Sequence, residues 1–257
     1  MGIIITSDSG CDLPQDIQNK YNIKLMPISV ILGGEEYLDT INVTPADIFK
    51  FVQEKKALPK TAARSVEDFK DFFKPLLDAG NDIVYIGIST GISATTNNAM
   101  LAAKELDTNR IFIVDGGSLS SGTGLMLIHA AELIEKGKTA SQIAVIETER
   151  SKNIQASFVV DVLDYLYKNG RCSALSMFGA NMLRIHPSLQ LIDGKIVPTE
   201  KYRGKMTFIL KKYIDDILSK FNNPDTARCF VTHSSADKEL VDEIVSYVKS
   251  KNIFKEV

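Results

Sequence analysis

The chain has 257 residues, 44% of them hydrophobic and 24% charged, which is enough for one large domain or two small ones and too apolar for a disordered segment. Thirty Lys and Arg face 32 Asp and Glu, a formal net charge of −2 with no basic block, so no nucleic acid partner is expected. No apolar run reaches the roughly 18 residues of a membrane span, "MGIIITSDSGC" lacks a basic signal region, and Cys11, Cys172 and Cys229 fit neither a disulfide framework nor a cysteine zinc site; the reading is a cytoplasmic protein without an integral membrane segment.

In chain order, "GIIITS" predicts a buried strand, and Asp12 with Pro14 caps and opens a helix through "PQDIQNKY". "KLMPISVIL" predicts a second strand, which Gly33 and Gly34 turn into "EEYLD". Thr44 and Pro45 start the helix "PADIFKFVQEKK", and "SVEDFKDFFKPLLDAG" is a further helix ending at Gly80. Then come the strand "DIVYIGIS", the helix "SATTNNAMLAAKEL", the strand "RIFIVD" and the helix "SGTGLMLIHAAELIEKG". Near-continuous apolar strands alternating with helices predict a mainly parallel sheet covered on both faces. The alternation stops after the helix "ASQIAVIETERSKNI", so the boundary falls between domains at 1–155 and 156–257. The second part opens with "ASFVV" and carries helices "SALSMFGANML" and "GKMTFILKKYIDDILSKF". Around them lie a hairpin "SLQLIDGKIVPTEKY" turned at Asp193-Gly194, a strand "RCFVTHS" and a helix "DKELVDEIVSYVKS". Antiparallel pairing therefore enters, and this domain is α/β with a mixed or antiparallel sheet.

Ligands of open parallel sheets collect at the carboxyl ends of the strands. Three such ends here are rich in hydroxyls: Thr6, Ser7 and Ser9; Ser89, Thr90, Ser93, Thr95 and Thr96; and Ser118, Ser120 and Ser121. Each hydroxyl taken singly reads as a helix cap, but the three sets together favour a small anionic group, a carboxylate or a phosphate. "GKT" at 137–139 has Glu132 where a phosphate loop needs glycine, and "SGTGLM" has Leu127 where a dinucleotide fingerprint needs its third glycine. No histidines pair at metal spacing; His129 reads as a core residue, His186 lies before Pro187 in a loop, and His233 ends a strand just before a helix.

Five stretches carry a family resemblance across nearly the whole chain: "IITSDSGCDLP", "SATTNNAMLAAKEL", "VDGGSLSSGTGLMLIHAAELIEKGKTASQI", "LDYLYKNGRCSALSMFGANMLRIHPSLQLIDGKIVPTEKYRGK" and "VTHSSADKE". In this order they resemble the DegV family. The resemblance implies a two-domain DegV-like α/β fold that binds a long-chain fatty acid, its tail buried in one domain and its carboxylate held between the two. In some members the carboxylate is presented to a separate ATP-dependent fatty acid kinase, which makes an acyl phosphate. It puts the carboxylate on Thr61 and Ser93, to which the strand-end reading adds Thr95 and Ser118, and it makes Arg171 and Arg203 the rim where the kinase docks. His233 is an accessory position, and the apolar stripe Leu175, Phe178, Met182, Leu183, Phe208 and Ile209 is the expected tail lining. No metal, no cofactor besides the bound fatty acid and no catalysis by the chain alone are expected. Two other readings stand beside this one: a dihydroxyacetone-kinase-like phosphotransferase subunit that holds its substrate on His233, and a lipid-sensing regulatory module. The chain departs from the family pattern at Ala62-Ala63-Arg64, where members usually read Ser-Gln-Pro, and at Ala94, where they read glycine. Family chains commonly continue into a terminal strand and a Ser-x-His-x-Gly-Pro segment, whereas this sequence ends at "FKEV".

Overall fold

The computed structural model describes residues 2–107, 109–176, 185–221 and 223–257. They form two compact units, one of Met1–Ala156 with Leu191–Lys195 and one of Ser157–Gln190 with Ile196–Val257.

The first unit is built on four parallel strands, β1 (Gly2–Asp8), β2 (Lys24–Met26), β6 (Asn81–Gly87) and β7 (Ile111–Asp115), in the order β2-β1-β6-β7. In β6 every residue from Ile83 to Gly87 is buried, as a strand covered on both faces requires. Ile83 and Tyr85 face the helices α3 (Val66–Asp78) and α4 (Thr95–Leu106), where they join Phe69, Phe73, Ala99, Ala102 and Ala103 in one core. The small alanines let α4 lie close to the sheet, and Tyr85 meets Phe69 edge-on with ring centroids 5.4 Å apart. By alternation Val84 and Ile86 point the other way, toward α5 (Ser121–Glu135) and α6 (Ala140–Ser151). Gly137, with φ +74°, ends α5 as a C-cap, and its N–H donates to Ile134 O.

The apolar run "KLMPISVIL" does not make one strand. Pro27, which has no N–H to give a ladder, divides it. Its first half is β2; its second is β3 (Ser29–Leu32), which lies in a separate antiparallel sheet with β4 (Glu35–Leu38) and β5 (Lys60–Ala62). Antiparallel pairing thus enters in the first unit too. Gly33 and Gly34, at φ +64° and +98°, make the β3–β4 turn. Val30, Leu32 and Val43 pack with Ile48 and Phe51 of α2 (Pro45–Lys55), whose start is fixed by the reciprocal bonds of Thr44 and Asp47. Asp12 does not cap α1: it takes φ +52° as the C-cap of a 3-10 turn over Ser9–Cys11, and α1 (Gln15–Lys20) begins after Pro14 without a side-chain cap.

The second unit holds β8 (Ser157–Val159), α7 (Asp164–Lys168), β9 (His186–Ile192), β10 (Lys195–Tyr202), α8 (Met206–Lys220) and α9 (Lys238–Ser250), with strand order β10-β9-β8. β8 and β9 run antiparallel, and Asp193 and Gly194, at φ +49° and +71°, form the two-residue turn of the hairpin. His186 opens β9 rather than lying in a loop. The expected helix "SALSMFGANML" shows a 3-10 turn over 173–176, and the rest lies outside the described residues. "RCFVTHS" forms no strand; its one parallel bridge, Arg228 to Glu256, does not extend into a ladder. Among the described residues, no helix is long and apolar enough to cross a membrane.

Candidate functional site

Two of the three hydroxyl-rich strand ends are organised by a carboxylate. Asp8 ends β1, and its Oδ1 accepts the Gly10 N–H at 3.1 Å; Asp115 ends β7, and its Oδ1 accepts the Gly117 N–H at 3.0 Å. Both are Asp-x-Gly turns in which the side chain closes its own backbone. Each also reaches across to β6 or the turn that follows it. Asp8 Oδ2 accepts the Tyr85 hydroxyl at 2.9 Å and the Ile88 N–H at 3.1 Å, while Asp115 accepts the N–H and hydroxyl of Thr90. Burial pushes the Asp8 carboxyl above its usual range, against the opposing pull of these three donors.

The strand-end hydroxyls then sort by partner. Thr6, Ser7 and Thr96 donate to the carbonyls of Val84, Ile86 and Ile88, and Ser9 Oγ accepts the Ile28 N–H just after Pro27. Ser89 donates to Gly194 O at 2.7 Å. These hydroxyls serve the fold.

Ser93 and Thr95 are different. Ser93 Oγ lies 3.0 Å from Thr95 Oγ1 and accepts the Thr95 N–H at 3.2 Å. Thr95 is fully buried and Ser93 half-buried. If Thr95 Oγ1 donates to Ser93 Oγ, the Ser93 hydroxyl proton is left for another acceptor. The pair stands at the start of α4, whose cap residue Ala94 offers no side-chain bond, so the side-chain acceptor at this helix start is Ser93 Oγ on the Thr95 N–H, and the helix dipole favours negative charge there. Ala94 has φ −78°, an ordinary backbone for alanine; the glycine usual here is not required. Ser118 is also distinct, since its Oγ is buried without a hydrogen-bond partner among the described residues while its carbonyl accepts the Ser89 N–H at 2.7 Å.

Thr61 lies on β5, paired with Val30 and exposed. Arg64, three residues on, anchors this segment. Its guanidinium donates to Ser29 Oγ at 3.0 Å and Asp68 Oδ1 at 2.7 Å, and its carbonyl accepts from Asn98 of α4 at 2.6 Å. The Ala62-Ala63-Arg64 departure thus brings its own attachment to the turn.

A family model described as an uncharacterised protein of the DegV family matches residues 2–255. The chain belongs to the DegV family. One relative, a fatty acid-binding protein of Thermotoga maritima, is 31% identical over 266 residues, which span 100% of this chain and 90% of the relative. The structure of a fatty acid-binding DegV family protein from Thermus thermophilus matches with TM-score 0.89 at 29% identity, covering 100% of this chain and 91% of that one. DegV of Bacillus subtilis, a fatty acid binding protein, matches with TM-score 0.84 at 25% identity over the same shares. The two-unit α/β architecture is thus the DegV fold.

The remaining expected residues fall as follows. Arg171 and Arg203 are exposed, and Arg171 donates to Asn169 O at 2.6 Å. Leu175 and Ile209 are fully buried, Phe208 is 64% exposed, and Phe178, Met182 and Leu183 lie outside the described residues. His233 is exposed and does not end a strand. His129 bonds the buried Glu147 through Nδ1 and belongs to the packing of α5 on α6. Among the described residues no His, Cys, Asp and Glu cluster could hold a metal. Sequence reasoning missed Asp8 and Asp115, and it grouped Ser89 with the anion-binding hydroxyls although its hydroxyl is taken up by Gly91 and Gly194. The signal for the two aspartates was present, as "SDSG" and "VDGG" both place Asp two residues before Gly at a strand end.

Proposed function

We propose that the chain binds a long-chain fatty acid, with the ligand carboxylate received by the Ser93 hydroxyl, backed by Thr95, at the start of α4. The observation that carries this is the partition of the hydroxyls: those of the β1 end and most of those around β6 are spent on carbonyls, backbone N–H groups and carboxylates of the fold, while Ser93 and Thr95 bond each other at a helix start whose cap residue Ala94 offers no side-chain bond. A carboxylate leaves water there against a donor and a helix dipole, which lowers its desolvation cost. Thr61 and Ser118 complete the proposed head-group set. The tail is assigned to apolar side chains of the C-terminal unit, Leu175 and Ile209 among them.

Magnitudes separate the roles of the two ends. A tail of about fifteen methylenes at roughly 0.8 kcal/mol each gives on the order of 12 kcal/mol before association costs, against about 1.5–3 kcal/mol per charge-assisted hydrogen bond. The tail supplies affinity and the head supplies orientation. The chain acts in this reading as a carrier without catalysis of its own, presenting the carboxylate to a separate ATP-dependent kinase that meets the exposed Arg171 and Arg203. Likeness to the fatty acid-binding relatives supports the ligand class.

The test is denaturing extraction of the purified protein followed by mass spectrometry of the released small molecules, with uptake of added palmitate or oleate as the second arm. A near-stoichiometric fatty acid is expected. No lipid in the extract and no uptake would overturn the reading.

A further inference from the structure

Ser89 is almost wholly buried, and all its polar groups are committed. Its N–H donates to Ser118 O at 2.7 Å, and its carbonyl accepts from the N–H groups of Ile92 and Ser93 at 3.1 and 3.2 Å. Its hydroxyl accepts the Gly91 N–H at 3.0 Å and donates to Gly194 O at 2.7 Å, 105 residues further along the chain. The turn that presents Ser93 is therefore wound around Ser89, and one of the points that hold Ser89 is the tip of the β9–β10 hairpin. That tip, Leu191–Lys195, belongs to the first unit although most of the hairpin belongs to the second.

The approach leaves no room for a methyl group at either glycine. A Cβ on Gly91 would lie 2.5 Å from Gly194 O, and a Cβ on Gly194 would lie 2.4 Å from Ser89 Oγ. Gly194 also holds φ +71°, as the two-residue turn demands, so Asp193-Gly194 both makes the hairpin and fits its tip against the turn.

We infer that the hairpin tip is a positioning element for the head-group site: Gly194 fixes Ser89, and Ser89 fixes the backbone that aims Ser93 at the ligand carboxylate. Neither residue touches the ligand. The inference rests on the fatty acid reading above, and it concerns head-group discrimination rather than tail affinity.

The experiment compares the Kd of palmitic acid with that of hexadecan-1-ol, by competition with a fluorescent fatty acid, in the full-length protein and its Ser89→Ala, Gly91→Ala and Ser93→Ala variants. Wild type prefers the acid. Ser89→Ala and Gly91→Ala are expected to lose at least threefold of that preference while alcohol affinity stays within twofold. Adding Ser89→Ala to Ser93→Ala is expected to change the ratio no further, because one acts through the other. Ser89→Ala adds no bulk and serves if Gly91→Ala fails to fold. Ser89→Ala that keeps the wild-type acid-to-alcohol ratio, even if it melts earlier, would show mere structural support and overturns the inference. No acid preference in wild type would overturn instead the head-group assignment on which it rests.

Discussion

Replacing Ser93 with alanine removes one oxygen and three of its proposed interactions: the bond with Thr95 Oγ1 at 3.0 Å, acceptance of the Thr95 N–H at 3.2 Å, and the proton offered to the ligand. The first two concern stability. Thr95 N–H is one of the donors at a helix start, and losing its acceptor costs about 1 kcal/mol, because the half-buried site lets water take the place of the hydroxyl. The third concerns binding. A charge-assisted hydrogen bond contributes about 1.5–3 kcal/mol, so the Kd for a long-chain acid should rise about 10- to 150-fold. Thr95→Val leaves the Ser93 hydroxyl in place but takes away the bond behind it, and its smaller cost, about 0.5–1.5 kcal/mol, corresponds to roughly 2- to 12-fold. Isothermal titration of both variants with palmitate, alongside urea denaturation of the unliganded proteins, separates the two effects. Palmitate binding unchanged in Ser93→Ala would refute the assignment of the carboxylate to the start of α4.

Three other perturbations probe the frame around the site. Asp8→Asn keeps one acceptor oxygen but turns an amide toward the Ile88 N–H and the Tyr85 hydroxyl; urea denaturation should show a loss of roughly 2–4 kcal/mol from the groups left unpaired. Because burial raises the folded carboxyl above its unfolded value near 3.8, folding takes up protons at this group. Its contribution is therefore greatest below 3.8 and declines as pH rises through the higher folded value; a carboxyl NMR titration of Asp8 with a midpoint below 3.8 would reverse that sign. Thr44→Ala at the α2 capping box should cost about 1 kcal/mol by urea denaturation and leave palmitate affinity unchanged, since the cap lies on an exposed helix start. Of the three thiols, Cys11 is buried and pushed up to about 12 while Cys229 is only half-buried, so a thiol reagent at pH 8 should label Cys229 first in the native protein and Cys11 only on unfolding.

The parallel sheet was legible because its strands are short apolar runs and the helices that separate or follow them carry Thr44, Ser65, Thr139 and Gly137 at their ends, where caps have a local chemical signature. The split of "KLMPISVIL" was legible in principle, since Pro27 stands in mid-run, but periodicity does not say which sheet each half joins. "RCFVTHS" read as a strand from its apolar core alone; a strand also needs a ladder, and a ladder is a property of the partner. The hydroxyls show the same limit. Their clustering at strand ends pointed to the right region, yet Ser93 and Ser89 look alike in sequence, and only their partners, Thr95 for one and Gly194 for the other, assign one to a ligand and the other to the scaffold.

The order of the central strands bears on how the chain reaches its fold. β1 leaves the ribosome well before its neighbour β6; 80 residues separate Asp8 from the Ile88 N–H that it accepts. Until β6 emerges, "GIIIT" has only the three-residue β2 beside it, with an open edge along its length. At roughly 5–20 residues per second that exposure lasts several seconds, long enough for another nascent chain to pair with it. Refolding in vitro meets the same long loop closure, so the unit should fold slowly for its size, and the yield should fall as protein concentration rises.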